Sequence, residues 1–203
     1  MNDLTRQGVK PCNLARSSAR WLCAALLVLC APWALATQAL IEVKTSHAGD
    51  LVTVRAVATI AAPMAVVWGT LTDYERLPEF IPGLRKSTVI ARSGATATVQ
   101  QSGEARFFFA SVPIEVTLES TEAPPNIEVR RVAGTLKRLE GRYETEVLEG
   151  SVQLRWLGNI EPENGLPPLV GEALMRRSIR AQFTGMVREI ERREALRLAA
   201  AAK

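Results

Sequence analysis

The chain has 203 residues, a formal charge of +4 and a hydrophobic content of 47%, which is ordinary for a globular protein. Its cysteines are Cys12, Cys23 and Cys30, so the chain after Cys30 contains no disulfide, no cysteine metal ligand and no thiol nucleophile. Four basic residues and one acidic residue lie within the first 36 positions, which leaves the remainder close to neutral. The overall positive charge therefore does not predict a nucleic-acid partner.

The N-terminal segment has the pattern of a secretory signal peptide. Basic residues precede an apolar run from Trp21 to Ala31, and the small-residue triplet Ala34-Leu35-Ala36 follows. The run is shorter than the roughly 20 residues that cross a bilayer. We therefore expect a signal peptide at 1–36, one mature domain at 37–203, and export to the periplasm or the exterior. An uncleaved N-terminal membrane anchor is the alternative.

The mature chain is predicted to open with a strand followed by short helical elements. Apolar and polar residues alternate over Leu51–Ile60, which is typical of a strand with one buried face. Pro63 precedes a helical pattern over Met64–Asp73, and proline suits the first turn of a helix. Tyr74–Gly83 contains two prolines and a glycine, which indicates a broken helical turn and then a loop.

An antiparallel meander is predicted between Leu84 and about Pro162, because alternating runs there are separated by turn residues. Such short connections exclude parallel crossovers. The predicted strands are Leu84–Ala91, Ala97–Phe109, Ile114–Glu119, Ile127–Val132, Arg138–Val147 and Val152–Ile160. The predicted turns lie near Ser93-Gly94, Pro113, Pro124-Pro125-Asn126, Gly134 and Glu149-Gly150.

A long amphipathic helix is predicted after Gly171. Its apolar residues recur at spacings of three and four, and arginines occupy the opposite side. A single helix with an apolar stripe must bury that stripe against the sheet. The apolar positions are Met175, Ile179, Phe183, Met186, Val187 and Ile190, and the opposite, mainly basic side contains Arg176, Arg177, Arg180, Arg188, Glu191 and Arg192.

Two segments carry a resemblance to a known superfamily. Residues 67–87 read VWGTLTDYERLPEFIPGLRKS, and residues 134–143 read GTLKRLEGRY. Both resemble the START-like superfamily, in particular its polyketide cyclase/dehydrase and coenzyme-Q-binding branch. The resemblance implies an α+β helix-grip fold: a curved antiparallel sheet wrapped around a long C-terminal helix, with two short helices after the first strand. It also implies an interior that holds an apolar small molecule, a lipid or an isoprenoid quinone.

The candidate ligand-binding residues are large apolar side chains expected to face this interior. Phe107, Phe108 and Phe109 are placed together on one strand, so Phe107 and Phe109 share a face. Phe80 and Ile81 are predicted to form a lid, since loops at openings are mobile. Ordinary core packing is the alternative role for every one of these residues. The full set is Trp68, Phe80, Ile81, Phe107, Phe109, Leu139, Tyr143, Trp156, Met175, Ile179, Phe183 and Met186. Val147, Val152 and Leu154 are expected to face inward beside them.

No catalytic, metal or cofactor site is predicted. His47 is the only histidine and falls in a stretch expected to be poorly structured. The carboxylates are scattered, and no phosphate loop, nucleophile elbow or dinucleotide fingerprint occurs. Polar groups considered for the cavity are Glu104, Arg106, Tyr143 and Arg155, with a solvated strand face as the simpler role for the charged ones.

Three functions remain open. The first is non-covalent binding of a hydrophobic small molecule between sheet and helix. The second is a cyclase or dehydratase acting on a polyketide-like substrate, which requires an acid or base in the cavity. The third is an interaction module at a membrane surface, acting through the basic side of the C-terminal helix. The sequence predicts no oligomeric state.

Overall fold

An eight-stranded antiparallel sheet dominates the structure, a computed structural model that describes residues 40–107, 110–163 and 168–202. The strand order across the sheet is β1-β2-β8-β7-β6-β5-β4-β3, so the second strand pairs with the last one. Every other neighbouring pair is consecutive in the chain, which is a meander. The strands are β1 (Ile41–Ala48), β2 (Leu51–Ile60), β3 (Leu84–Ser93), β4 (Thr96–Phe107), β5 (Ala110–Ala123), β6 (Asn126–Gly134), β7 (Leu136–Leu148) and β8 (Ser151–Pro162).

Helical elements cover one face of this sheet. Helix α1 (Met64–Leu71), a 3₁₀ turn (Tyr74–Arg76) and helix α2 (Leu77–Phe80) connect β2 to β3 at the far edge. Helix α3 (Pro168–Ala201) follows β8, and its backbone lies closest to β1, β2 and α1. The predicted helix-grip class is confirmed, with the short helices after the second strand.

The buried residues of β2 and α3 follow the periods of a strand and of a helix. Every second residue of β2, from Val52 to Ile60, is buried, as its period of two predicts. The apolar side of α3 is buried too, with Ile190 fully inaccessible to solvent. Both contribute to the core, together with buried residues of α1, β1, β4, β5, β6 and β8. The predicted inward residues of α3 that are buried are Ile179, Phe183, Met186, Val187 and Ile190.

The first strand was not predicted. Residues 41–48 pair along their whole length with β2, and His47 lies opposite Val52 instead of in an unstructured stretch. The sequence signal is weak because only Val43 of this edge strand is buried. The expectation of a poorly structured start is therefore wrong from Ile41 onward.

The turn predicted near Pro113 is also wrong. Pro113 lies within β5, opposite Glu104 of β4. Strand β6 pairs with β5 only from Val116 onward, so Pro113 lies where β5 has no neighbour on its second side. Proline is tolerated there because its missing N–H interrupts no ladder. The C-terminal helix likewise begins at Pro168, ahead of the predicted start after Gly171.

Candidate ligand-binding site

An indole ring lies flat across two glycines on the concave face of the sheet. Gly141 of β7 pairs directly with Gly158 of β8, and Trp156 precedes Gly158 by two residues on the same face. An ideal Cβ on Gly158 would lie 2.5 Å from Cζ2 and 2.8 Å from Nε1 of Trp156. A Cβ on Gly141 would lie 2.5 Å from Cη2 of the same ring. The two glycines therefore provide the space that the indole occupies.

Two further aromatic rings complete this cluster. Tyr143 is the cross-strand partner of Trp156, with ring centroids 4.5 Å apart at an angle of 43°. Phe183 of α3 reaches the tyrosine from above, with centroids 6.4 Å apart. These separations lie within the range of favourable aromatic pairs. The cluster of Trp156, Tyr143 and Phe183, here called the aromatic cluster, joins sheet to helix.

Tyr143 is the polar group of the aromatic cluster. Burial raises its pKa to about 12, and no hydrogen bond from a described residue contributes to that shift. The side chain is nevertheless only partly buried. The phenol is therefore neutral at physiological pH and keeps a hydroxyl that is open to a hydrogen bond.

The remaining predicted site residues either belong to the buried core or are partly buried against it. Trp68, Phe80, Ile81, Leu139 and Met175 are partly buried and pack against the core, while Trp156, Ile179, Phe183 and Met186 belong to it. Phe107 ends β4 opposite Ala110, and nothing is described of its side chain. Phe109 and Phe108 lie outside the described residues.

The inward-facing position predicted for Val147 and the polar candidates for the cavity have different outcomes. Val147 shares the face of Tyr143 but lies near the end of β7 and is 66% exposed, so its predicted inward packing is wrong. Glu104 forms an ion pair with Arg85. Arg155 pairs with Glu146 at 2.6 Å on the outer face, as a solvated strand face predicts. Arg106 lies in β4, and its side chain is not described.

An ion-pair network holds α3 against the short helical elements. Glu189, 8% exposed in its side chain, accepts hydrogen bonds of 2.7 Å from both Arg192 and Arg193. Arg193 also donates to Asp73 Oδ2 at 2.8 Å, just before the 3₁₀ turn. The guanidinium of Arg192, then that of Arg193, lowers the pKa of Glu189 to about 2, against the opposing effect of burial. Glu189 therefore stays ionised far below neutral pH.

Replacing Glu189 with glutamine is expected to remove a pH-dependent part of the stability. A lowered carboxyl pKa stabilises the fold fully above the ordinary value of 4.5, and the contribution is lost as pH falls toward 2. Because Arg192 is half exposed, solvent screens the pair, and we expect a loss of about 1 kcal/mol at pH 7. Urea unfolding of wild type and Glu189→Gln at several pH values measures it.

We expect the unfolding free energies of wild type and Glu189→Gln to become equal in acid. The difference in unfolding free energy should shrink between pH 5 and pH 2, and Glu191→Gln, on the same helix, serves as control. A constant difference over this range would contradict the assigned role of Glu189.

The described residues contain no cluster of histidine, cysteine, aspartate or glutamate that would hold a metal ion. Within the same residues, no helix is both long enough and apolar enough to cross a membrane.

The curved sheet, the long C-terminal helix and the aromatic cluster between them define a START-like, helix-grip protein. Residues 60–187, more than half of the chain, match the family described as polyketide cyclase / dehydrase and lipid transport. The chain belongs to this family, which confirms the resemblance seen in residues 67–87. No curated protein sequence matches the chain.

Solved structures share the fold at low sequence identity. A STAR-related lipid transfer protein from Xanthomonas axonopodis has a TM-score of 0.62 at 11% identity, covering 76% of this chain and 94% of its own. The Zhui aromatase/cyclase from Streptomyces sp. R1128 has a TM-score of 0.61 at 18% identity, covering 70% and 95%. The human StarD13 lipid transfer and protein localization domain has a TM-score of 0.59 at 13% identity, covering 74% and 84%. The fold is thus shared by lipid-transfer proteins and by cyclases.

Proposed function

We propose that this chain is an exported protein that binds a hydrophobic small molecule between the concave face of its sheet and α3. The ligand class is a lipid, an isoprenoid quinone or a molecule of similar apolarity. The family includes lipid transport in its description, and two of the structural neighbours are lipid-transfer proteins. Sequestration is the mechanism: apolar surface of ligand and protein leaves water together, at about 25 cal/mol per Å² before ordering costs.

The aromatic cluster is the observation that carries this proposal. Trp156 presents a broad flat ring, supported from below by Gly141 and Gly158. Beside it, Tyr143 offers a neutral hydroxyl within otherwise apolar surroundings. A mostly apolar surface with one hydrogen-bonding group is the usual chemistry of a small-molecule site.

Helix α3 and the α2 segment supply the rest of the enclosure. The backbone of α3 lies closest to β1 and β2, so Phe183 spans the wider gap toward β7. Phe80 and Ile81 lie at the end of α2 and pack only partly against the core. We assign to these two residues the gating of ligand entry.

Cargo analysis tests the proposal directly. The purified protein is measured by native mass spectrometry, and the same sample is extracted with organic solvent for identification of the released molecules. We expect a mass increment that disappears on extraction, together with a lipid or quinone in the extract. A protein that carries no increment and takes up neither added lipid nor added quinone would contradict the proposal.

A tyrosine substitution tests the polar contact. We expect Tyr143→Phe to weaken binding of decylubiquinone about fivefold, because one hydrogen bond contributes about 1 kcal/mol. Quenching of tryptophan fluorescence measures the affinity. The chain has two tyrosines, and Tyr74→Phe is the matched control because Tyr74 packs against β3 instead of in the aromatic cluster. Equal affinities for both variants and wild type would remove Tyr143 from the site.

A cyclase or dehydratase is the second candidate, favoured by the free hydroxyl of Tyr143. The raised pKa keeps this phenol protonated and makes it a weak acid, so it would act by donating a hydrogen bond to a substrate carbonyl. Incubation with a poly-β-ketone substrate, followed by mass spectrometry of products, separates the two functions. Turnover that Tyr143→Phe abolishes would replace the binding proposal, and unchanged substrate would support it.

A further inference from the structure

A groove of about 600 Å³ lies on the side of α3 that faces away from the aromatic cluster. One wall is formed by Phe80 and Pro82 at the end of α2, and α3 forms the floor with small residues such as Ala181 and Gly185. The groove is open to solvent, and Pro82 is exposed. It shares Phe80 with the proposed cargo site, and its other lining residues do not belong to that site.

Among the described residues, four arginines line this groove, against a single carboxylate. Arg177 and Arg180 lie at one end of the small-residue floor, and Arg188 and Arg192 lie at the other. Glu189, the one acidic residue of the lining, is already paired with Arg192 and Arg193. The excess positive charge is thus not neutralised within the groove.

The partners of these arginines show which charges are available. Arg180 donates to the backbone oxygen of Ile41 at 3.0 Å and forms no ion pair with a described carboxylate. Arg177 and Arg188 are exposed, and no ion pair to a described residue involves them. At 1.5 Å per residue they are about 16 Å apart along the helix axis. The guanidinium groups of Arg177 and Arg188 therefore have no ion-pair partner within the described part of the chain, and such groups bind phosphate oxygens well.

Apolar side chains continue the same surface beside the charges. Leu196, one turn beyond Arg192 on α3, is 57% exposed. Phe80 and Pro82 border the arginine row on its other side. A row of arginines flanked by apolar groups matches the boundary of a bilayer, where phosphates lie above acyl chains.

We propose that this groove docks the protein on a membrane that contains anionic phospholipids. The arginines contact the headgroup phosphates, and the apolar residues at the groove edges contact the layer beneath. Each basic residue near such a surface contributes about 1 kcal/mol, and the contribution falls with added salt. None of the four arginines of the docking surface belongs to the proposed cargo site.

Arginine footprinting on the full chain tests the docking surface. Phenylglyoxal modifies accessible guanidinium groups, and peptide mass spectrometry reports each site separately. We expect phosphatidylcholine vesicles with added phosphatidylglycerol to slow modification of Arg177 and Arg188 at least threefold, as phosphate contact requires. Arg55, exposed on β2, should react at its free rate. Pure phosphatidylcholine vesicles should protect neither groove arginine.

Charge variants provide the second measurement. Arg177→Gln/Arg188→Gln should lose the salt-sensitive increment of vesicle sedimentation that phosphatidylglycerol produces. Arg55→Gln/Lys86→Gln, which removes the same charge elsewhere, should keep it. Unprotected groove arginines, equal loss in both double variants, or protection by polyglutamate but not by anionic vesicles would each overturn the proposal. Neither readout depends on cargo, so the failure of one proposal leaves the other testable.

Discussion

Gly158→Ala is expected to destabilise the protein by about 3 kcal/mol, because the added methyl group overpacks a filled site. All three nearest atoms to an ideal Cβ at this position belong to the Trp156 indole, at 2.5, 2.7 and 2.8 Å. Real Cβ atoms do not approach other atoms so closely, so the ring must leave its place. Urea unfolding followed by circular dichroism measures the loss.

A double-mutant cycle separates this ring contact from other effects of alanine in a strand. In a Trp156→Leu background the indole is absent, and Gly158→Ala should then cost less than about 1 kcal/mol, a coupling of about 2 kcal/mol. Additive costs of Gly158→Ala and Trp156→Leu would contradict the assigned packing.

Gly185→Ala is expected to cost about 3 kcal/mol by forcing two helices apart. A Cβ at Gly185 would overlap the backbone oxygen of Phe80 and lie 3.0 Å from Cδ of Pro82. The first obstacle is backbone, which no rotamer change relieves. Helix α2 must therefore move relative to α3.

A glycine-to-alanine substitution in α1 is expected to stabilise the protein instead. Gly69 is exposed and helical, so Gly69→Ala should stabilise the protein by up to about 1 kcal/mol through helix propensity. Thermal and urea unfolding of both variants give the comparison. A stable Gly185→Ala protein would show that the close approach of α2 to α3 is not required.

The periodic elements were predictable because their signal is local. Buried residues alternate along β2, and they recur every three or four positions along α3. Each pattern lies within one segment of chain, so neighbouring residues suffice to identify it. The positive-φ glycines Gly94 and Gly150 likewise lie at predicted turns.

The missed features depend on partners that are distant in the chain. Strand β1 has one buried residue, Val43, and it is recognisable mainly through its ladder with β2. Pro113 alone suggests a turn, but β6 pairs with β5 only from Val116 onward, so the proline lies where β5 has a strand neighbour on one side only. In both cases the deciding contact lies outside the segment.

In the candidate site, too, local patterns predicted some residues, and contacts between distant segments decided the others. Trp156, Tyr143 and Phe183 were expected to face inward from their positions in strands and helix. The support of the indole by Gly141 and Gly158 was not predicted, because a glycine within a strand usually indicates weak packing. The only signal was the recurrence of glycine two residues from Trp156 and Tyr143, and it acquires meaning through the register of β7 with β8.

The sequence alone indicated the helix-grip class through the resemblance of residues 67–87 and 134–143 to the START-like superfamily. It also determined the apolar side of α3 and the row of arginines opposite it, because periodicity and charge are properties of consecutive residues. Only the tertiary structure decided that the indole of Trp156 fills the space over two paired glycines. It also decided that Phe80 and Pro82 complete a groove along those arginines. Both features require strand register and helix packing, which bring together residues far apart in the chain.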